Sequence, residues 1–178
     1  MRLTPSQIQE IRALVSGAVR LNVPLSRLTS FRIGGPADGV AEPQSVAELA
    51  ALVRFLHDNA IPHLMLGSGT NVLFHDAGFR GLIVRTNGLK IWKISSDGSE
   101  YAEVQVAAGV SLPLVVGRSC TLGWTGLEPL WGIPGSFGGA VVTNAGAGGA
   151  SISDFLVSVK VVSAAGEEIS LNKGELRA

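Results

Sequence analysis

Leu66-Gly67-Ser68-Gly69-Thr70-Asn71 closes one short apolar run, His63 to Leu66, and a second run, Leu82 to Arg85, follows after a loop. Upstream, Ser45-Val46-Ala47-Glu48 has the form of a capping box, and it opens a helix to about Asp58 with Val46, Leu49, Val53 and Leu56 on one face. This strand–helix–strand order predicts a small parallel unit. A glycine-rich turn after a strand suits phosphate, because several N–H groups can converge on oxygen where no Cβ intervenes. The two familiar phosphate loops do not match. Val72 stands where G-x-G-x-x-G/A needs its last small residue, and no G-K-S/T follows. Alone, the hexapeptide reads either as a phosphate cradle or as a plain tight turn.

Working outward, Thr4-Pro5-Ser6-Gln7 is a helix start with Thr4 as cap, and Ile8, Ile11, Leu14 and Val15 then share a face. Arg27 to Asp38 reads as a short extended segment ending in the Gly34-Gly35-Pro36 turn. Tyr101 to Ala107 alternates as a half-buried antiparallel strand, and a helix is expected from about Ser111 to Thr121. Phe155 to Val162 and Glu167 to Leu171 form an expected hairpin, and Asn172 to Glu175 begins a further helix. The chain stops at Ala178 with that element barely started, which predicts a piece of a longer protein.

Between these elements lies the densest glycine stretch, Gly126 to Gly149. Gly132-Ile133-Pro134-Gly135-Ser136-Phe137-Gly138-Gly139-Ala140 places four glycines within eight residues, and Asn144-Ala145-Gly146 follows. Long irregular segments in compact domains tend to be functional. A backbone wound this tightly can lie against a flat ring and donate N–H groups to its heteroatoms; it can also be a structural sheet corner. Two such loops in one short chain favour the first reading. Composition agrees: 23 of 178 residues are glycine, roughly twice the average ~7%.

Other features exclude classes. Fourteen basic and fourteen acidic residues cancel without a like-charged run, which removes the footprint of a nucleic-acid binder or a basic membrane-surface helix. No apolar run approaches the ~18 residues of a membrane span, and the amino terminus lacks a signal-peptide core. With Cys120 the only cysteine, no internal disulfide or Cys-x-x-Cys zinc pair exists. The chain is therefore read as soluble and cytoplasmic, with no nucleic-acid or membrane partner.

Acid–base groups are few. His57 is expected on a helix surface, His63 precedes a strand, and His75-Asp76 is read as a loop pair. Pro134 occupies the first glycine position of a G-x-S-x-G elbow, which argues against a strained nucleophilic serine at Ser136. Trp92 and Trp124 are expected in the core, Trp131 at the edge of the glycine loop, and Cys120 as a small buried apolar residue.

Taken in order, several segments resemble the UDP-N-acetylenolpyruvoylglucosamine reductase family of bacterial flavoenzymes. They are Thr29-Ser30-Phe31-Arg32-Ile33-Gly34-Gly35-Pro36-Ala37-Asp38, Leu66 to Leu73, Gly126-Leu127-Glu128, Gly132 to Ala140 and Asn144 to Ala147. The resemblance implies an α+β fold of the vanillyl-alcohol-oxidase type. A small parallel βαβ lobe would stand beside a larger antiparallel sheet with helices, with FAD between them. By motif position, Leu66, Gly67, Ser68, Gly69, Thr70 and Asn71 would cradle the pyrophosphate. Gly132, Ile133, Pro134, Gly135, Ser136, Gly138, Gly139 and Ala140, with Asn144, Ala145 and Gly146, would line the isoalloxazine and the rest of the cofactor. Gly109, Gly126, Leu127 and Glu128 would border it.

The family's reaction reduces UDP-N-acetylglucosamine enolpyruvate to UDP-N-acetylmuramate, a peptidoglycan precursor, with NADPH as hydride donor and a serine as proton donor. No catalytic residue falls within this sequence by that comparison. The family's Tyr-Arg-x-Ser motif would begin after Ala178, and the serine and a glutamate belong to a later substrate domain. The implied division is an N-terminal helix over 1–20 and an FAD-binding domain over 21–178, with lobes of about 21–90 and 91–178. The family's Asn-Ala-Gly-Ala-Tyr-Gly-Gly-Glu departs here, with Gly148 for the tyrosine and Ser151 for the glutamate. The alternatives are another flavoprotein oxidase of the same fold and a non-catalytic flavin-binding module.

Overall fold

The computed structural model describes residues 3–98 and 100–176. Helix α1 (Pro5–Leu14) starts as its capping box dictates, with Thr4 and Gln7 exchanging hydrogen bonds of 2.9 and 3.3 Å. Strand β1 (Val19–Pro24) follows, then β2 (Pro36–Ala41), α2 (Val46–Asp58), β3 (His63–Leu66) and β4 (Phe79–Arg85). They form one sheet in the order β1-β2-β4-β3, with β1 antiparallel to β2 and the other two pairings parallel.

Alternation along β4 divides the sheet's two faces. Leu82 and Val84 join Ile11, Val15, Ala41, Leu52, Leu56 and Ile61 beneath the two helices. Ile83 points the other way and packs with Val23, Leu25, Leu28, Ala37, Val40 and Leu66. Each fully buried Leu or Ile contributes about 1.5–3 kcal/mol. The central strand β4, buried on both faces, is the near-continuous apolar run that a covered parallel strand requires.

Arg27 to Asp38 is not an extended segment ending in a turn. A 3-10 turn over Leu25–Arg27 opens the segment, and β2 begins at Pro36, where the turn was expected. The cause is burial: Leu25 and Leu28 both insert beneath the sheet, and the chain must curl to place them there. Strands β1 and β5 were not legible because their exposed, polar-rich faces mask any apolar pattern.

The second lobe contains β5 (Trp92–Asp97) paired antiparallel with β6 (Ala102–Val106), then α3 (Leu112–Thr121). The long glycine stretch holds a 3-10 turn at Glu128–Leu130, helix α4 (Phe137–Val142) and β7 (Gly146–Ala147). β8 (Ala150–Ser151), α5 (Ile152–Phe155), β9 (Ser158–Val162) and β10 (Glu168–Asn172) complete it, with one 3-10 turn at Lys173–Glu175 where a helix was expected. The fold is α+β as expected. Among the described residues the antiparallel pairings outside the first sheet are three two-stranded ladders, β5–β6, β7–β8 and β9–β10, in place of one larger sheet. The β9–β10 turn at Gly166 abuts Ala50 and Arg54 of α2, so that ribbon leans on the first lobe.

A third core, Leu112, Val116, Leu130, Ala140 and Ile152, belongs wholly to the second lobe. On α3 the buried positions are Leu112, Val115, Val116 and Ser119. Cys120 is one step out of that phase and is exposed, contrary to expectation. Trp92 lies beneath the Arg118 guanidinium, 5.2 Å from its ring centre.

Candidate cofactor site

The first loop leaves the sheet where a ligand site is expected. Leu66 ends β3 opposite Arg85, the last residue of β4, so Gly67 to Asn71 lies outside the carboxyl ends of parallel strands. Its fold is fixed from outside: Ser30 N donates to Gly69 O at 2.9 Å, and Leu28 packs its carbonyl against the Gly69 α-carbon. With φ +71°, Gly69 also adopts a left-handed conformation that disfavours a side chain. Among the described residues, no hydrogen bond to protein is made by the N–H groups of Gly67, Ser68, Gly69, Thr70 or Asn71. Gly69 is buried. Buried main-chain donors are nearly always partnered, and the free N–H of Gly69 stands out against that rule in a loop whose other donors are also unused.

The second loop is held by a different frame. Gly109 N donates to Leu89 O at 3.0 Å and joins the lobes. Gly138 N donates to Ala108 O at 3.0 Å, Phe137 N to Val110 O at 2.7 Å, and Leu112 N to Gly135 O at 2.9 Å. Buried Ser136 caps α4 through its Oγ, which accepts from Gly139 N at 3.3 Å.

The structure brings the two loops into contact. Gly67 lies against Ser136 Oγ, Gly135 faces Thr70 Oγ1, and the Thr70 hydroxyl donates to Pro134 O at 3.4 Å. Leu66 to Thr70 and Pro134 to Ser136 therefore form one surface.

The other expected site residues have separate reasons for their identities. At Gly109 a Cβ would strike the Thr86 and Leu89 carbonyls, at Gly138 it would strike Ala108, and at Gly146 the Ala150 carbonyl. These glycines answer to protein backbone. Gly126 and Gly132 differ: both have positive φ and nothing within 4 Å of a Cβ. Glu128 turns its carboxylate back to accept from Gly126 N. Ala140 is in the third core, and Leu127, Ile133 and Ala145 pack against it.

Asn144 terminates α4. It has φ +46°, with Asn144 N donating to Val141 O and Ala145 N to Ala140 O, which is a Schellman closure. Its Oδ1 accepts from Ser153 N at 3.2 Å, so the amide is engaged within the protein. Gly148 and Gly149, both at positive φ, make the exposed tip of the β7–β8 hairpin.

Leu28 to Ser30 hold the first loop and were missing from the sequence-derived site. The signal was present as Thr29-Ser30 in the motif, without any indication of what it touches. His75 Nδ1 accepts from Ala77 N at 3.0 Å, a local turn bond.

Free main-chain donors without side-chain bulk, at the end of parallel strands and beside a second glycine loop, define a nucleotide-cofactor domain. The chain belongs to the FAD binding domain family, whose pattern it matches over residues 37–172. It is similar to UDP-N-acetylenolpyruvoylglucosamine reductase of Carboxydothermus hydrogenoformans, 43% identical over 159 residues, 89% of this chain and 51% of that protein. The same enzyme of Chlamydia muridarum is 42% identical, covering 89% and 52%. The chain spans about half the length of the curated relatives it matches.

Among solved structures, UDP-N-acetylenolpyruvylglucosamine reductase from Thermus caldophilus superposes with TM-score 0.69 at 31% identity, over 89% of this chain and 55% of that one. A 6-hydroxy-D-nicotine oxidase from Arthrobacter nicotinovorans shares the fold alone, with TM-score 0.64 at 19% identity over 90% of this chain and 37% of that one. The residues of these loops fit FAD: the free donors of Gly67 to Asn71 suit a diphosphate, and the open backbone at Gly126 and Gly132 leaves room for a ring. Among the described residues, no helix is long and apolar enough to cross a membrane.

Proposed function

We propose that this chain is the flavin-holding half of an enzyme that reduces UDP-N-acetylglucosamine enolpyruvate to UDP-N-acetylmuramate with NADPH. Gly67 to Asn71 would hold the FAD diphosphate through main-chain N–H groups, and the loops at Gly126 and Gly132 to Ser136 would border the ring. The flavin, when bound, supplies hydride chemistry that no side chain here offers. What this chain contributes is binding, orientation and exclusion of water. Proton donation to the substrate would come from the half of the relatives' length that this chain does not span. A cytoplasmic setting accords with a nucleotide-sugar substrate and NADPH.

One observation carries the reading: a run of unpartnered donors in the first loop abuts the second loop across the lobes. The test is purification of residues 1–178 with FAD, followed by assay with NADPH and UDP-N-acetylglucosamine enolpyruvate. Retained flavin without turnover is expected, and the intact gene product should oxidise NADPH only when the enolpyruvyl substrate is present. Failure to retain flavin, or turnover by residues 1–178 alone, overturns the proposal.

A further inference from the structure

At the edge strand of the sheet lies an open cleft of about 600 Å³, lined by β1, the turn after it and Arg85 at the end of β4. Three arginines line it: Arg20, Arg27 and Arg85. Glu42, outside the lining, is the carboxylate paired with two of them: a single oxygen, Oε1, accepts from both Arg20 Nη2 at 3.0 Å and Arg85 Nη1 at 2.8 Å. Arg27 forms no ion pair among the described residues. Three positive charges against one negative charge leave a local surplus in a chain whose total charge is zero.

Two further observations mark the cleft as more than a surface ion pair. The Arg85 side chain is only 18% exposed, and its Nε is buried without an acceptor. Asn22, on the cleft wall in mid-strand, holds φ +52°, a conformation that strands avoid. Strained backbone and unspent donors gather where structure serves a ligand.

We infer that this cleft is an anion site for a phosphate dianion, held by the Arg20, Arg27 and Arg85 guanidiniums and distinct from the main-chain donors of Gly67 to Asn71, whose loop Leu28 of the cleft wall supports. Guanidinium forks match phosphate oxygens in geometry as well as charge. A dianion would balance the surplus that Glu42 leaves. Free phosphate and a nucleoside monophosphate present the same group, and the cleft is wide enough for either.

The test is calorimetric titration of the FAD-loaded chain at low ionic strength with inorganic phosphate, adenosine 5′-monophosphate and adenosine. Saturable one-to-one phosphate binding is expected, weakened about tenfold or more by Arg27→Gln or Arg85→Gln and unchanged by Lys160→Gln on β9. Arg27 is exposed and unpaired, so Arg27→Gln keeps the fold and carries the test if Arg85→Gln fails to fold. Tighter binding of the nucleotide than of phosphate, with adenosine inert, identifies a nucleotide ligand; equal affinity identifies free phosphate. The absence of saturable phosphate binding, or wild-type affinity in Arg27→Gln, overturns the inference. So does loss of bound flavin in Arg27→Gln, which would assign the arginines to the flavin's own diphosphate. Flavin retention is read separately by absorbance, so failure here leaves the flavin reading intact.

Discussion

The α-carbon of Gly67 rests against the hydroxyl of Ser136, joining a loop of the first lobe to the cap of a helix in the second. Gly67 cannot gain a side chain while that hydroxyl stands beside it. Gly67→Ala drives a methyl group into a buried oxygen and should destabilise the fold by about 1–3 kcal/mol. Ser136→Ala loses a helix cap, worth about 1 kcal/mol, but removes the obstructing oxygen. The double variant should therefore be more stable than the sum of the singles by about 1 kcal/mol or more. Urea denaturation of the four proteins measures this coupling; strict additivity would refute the contact.

Gly69 gives a second prediction, with a cause different from the one its sequence suggests. The space before its α-carbon is filled by Leu28 O and Thr29 Cα, and not by open solvent. Gly69→Ala should lower the melting temperature of the flavin-free chain as well as abolish flavin retention. A variant with an unchanged apo melting temperature would show that the space belongs to the ligand alone.

For Asn144, the helix closure and the cofactor reading predict different outcomes. Left-handed backbone disfavours alanine by about 1–2 kcal/mol and accepts glycine. Asn144→Gly should therefore stay nearer wild type than Asn144→Ala in thermal denaturation, losing the Oδ1 bond to Ser153 N but gaining backbone freedom. Equal losses in both would place the importance of Asn144 in its side chain.

Glu48 supplies a pH dependence. The Gln44 N–H and the Ser16 hydroxyl both donate to its carboxylate, holding its pKa below the usual carboxylate range. A depressed folded pKa means that the stabilisation is complete above the ordinary carboxylate pKa of ~4.3 and is lost as pH falls through the folded value. Between about pH 5 and pH 3, wild type should lose more stability than Glu48→Gln, as followed by circular dichroism. Parallel pH profiles would contradict this.

Local signals were legible in the sequence, and long-range ones were not. Thr4 with Gln7 and Ser45 with Glu48 set helix starts through atoms three residues apart, so the starts of α1 and α2 could be read directly. The glycine loops could be recognised as special, but the reason for each glycine lies far along the chain. Gly69 answers to Leu28, Gly109 to Thr86 and Leu89, and Gly138 to Ala108. Cys120 was misplaced for a related reason: Ser119, polar by type, takes the buried position and satisfies its hydroxyl on Val115 O at 3.0 Å. The convergence of Arg20, Arg27 and Arg85 depends on sheet order, which spacing alone does not reveal.

The three buried clusters share no side chain: two draw on residues up to Val84, and the third begins at Leu112. Each half thus carries its own reserve of cohesion, and they meet along a seam of loops together with the β9–β10 ribbon that leans on α2. A molecule gripping that seam from both sides would act as a rivet. Calorimetry of the empty chain should resolve two melting steps, and the loaded chain should melt in one.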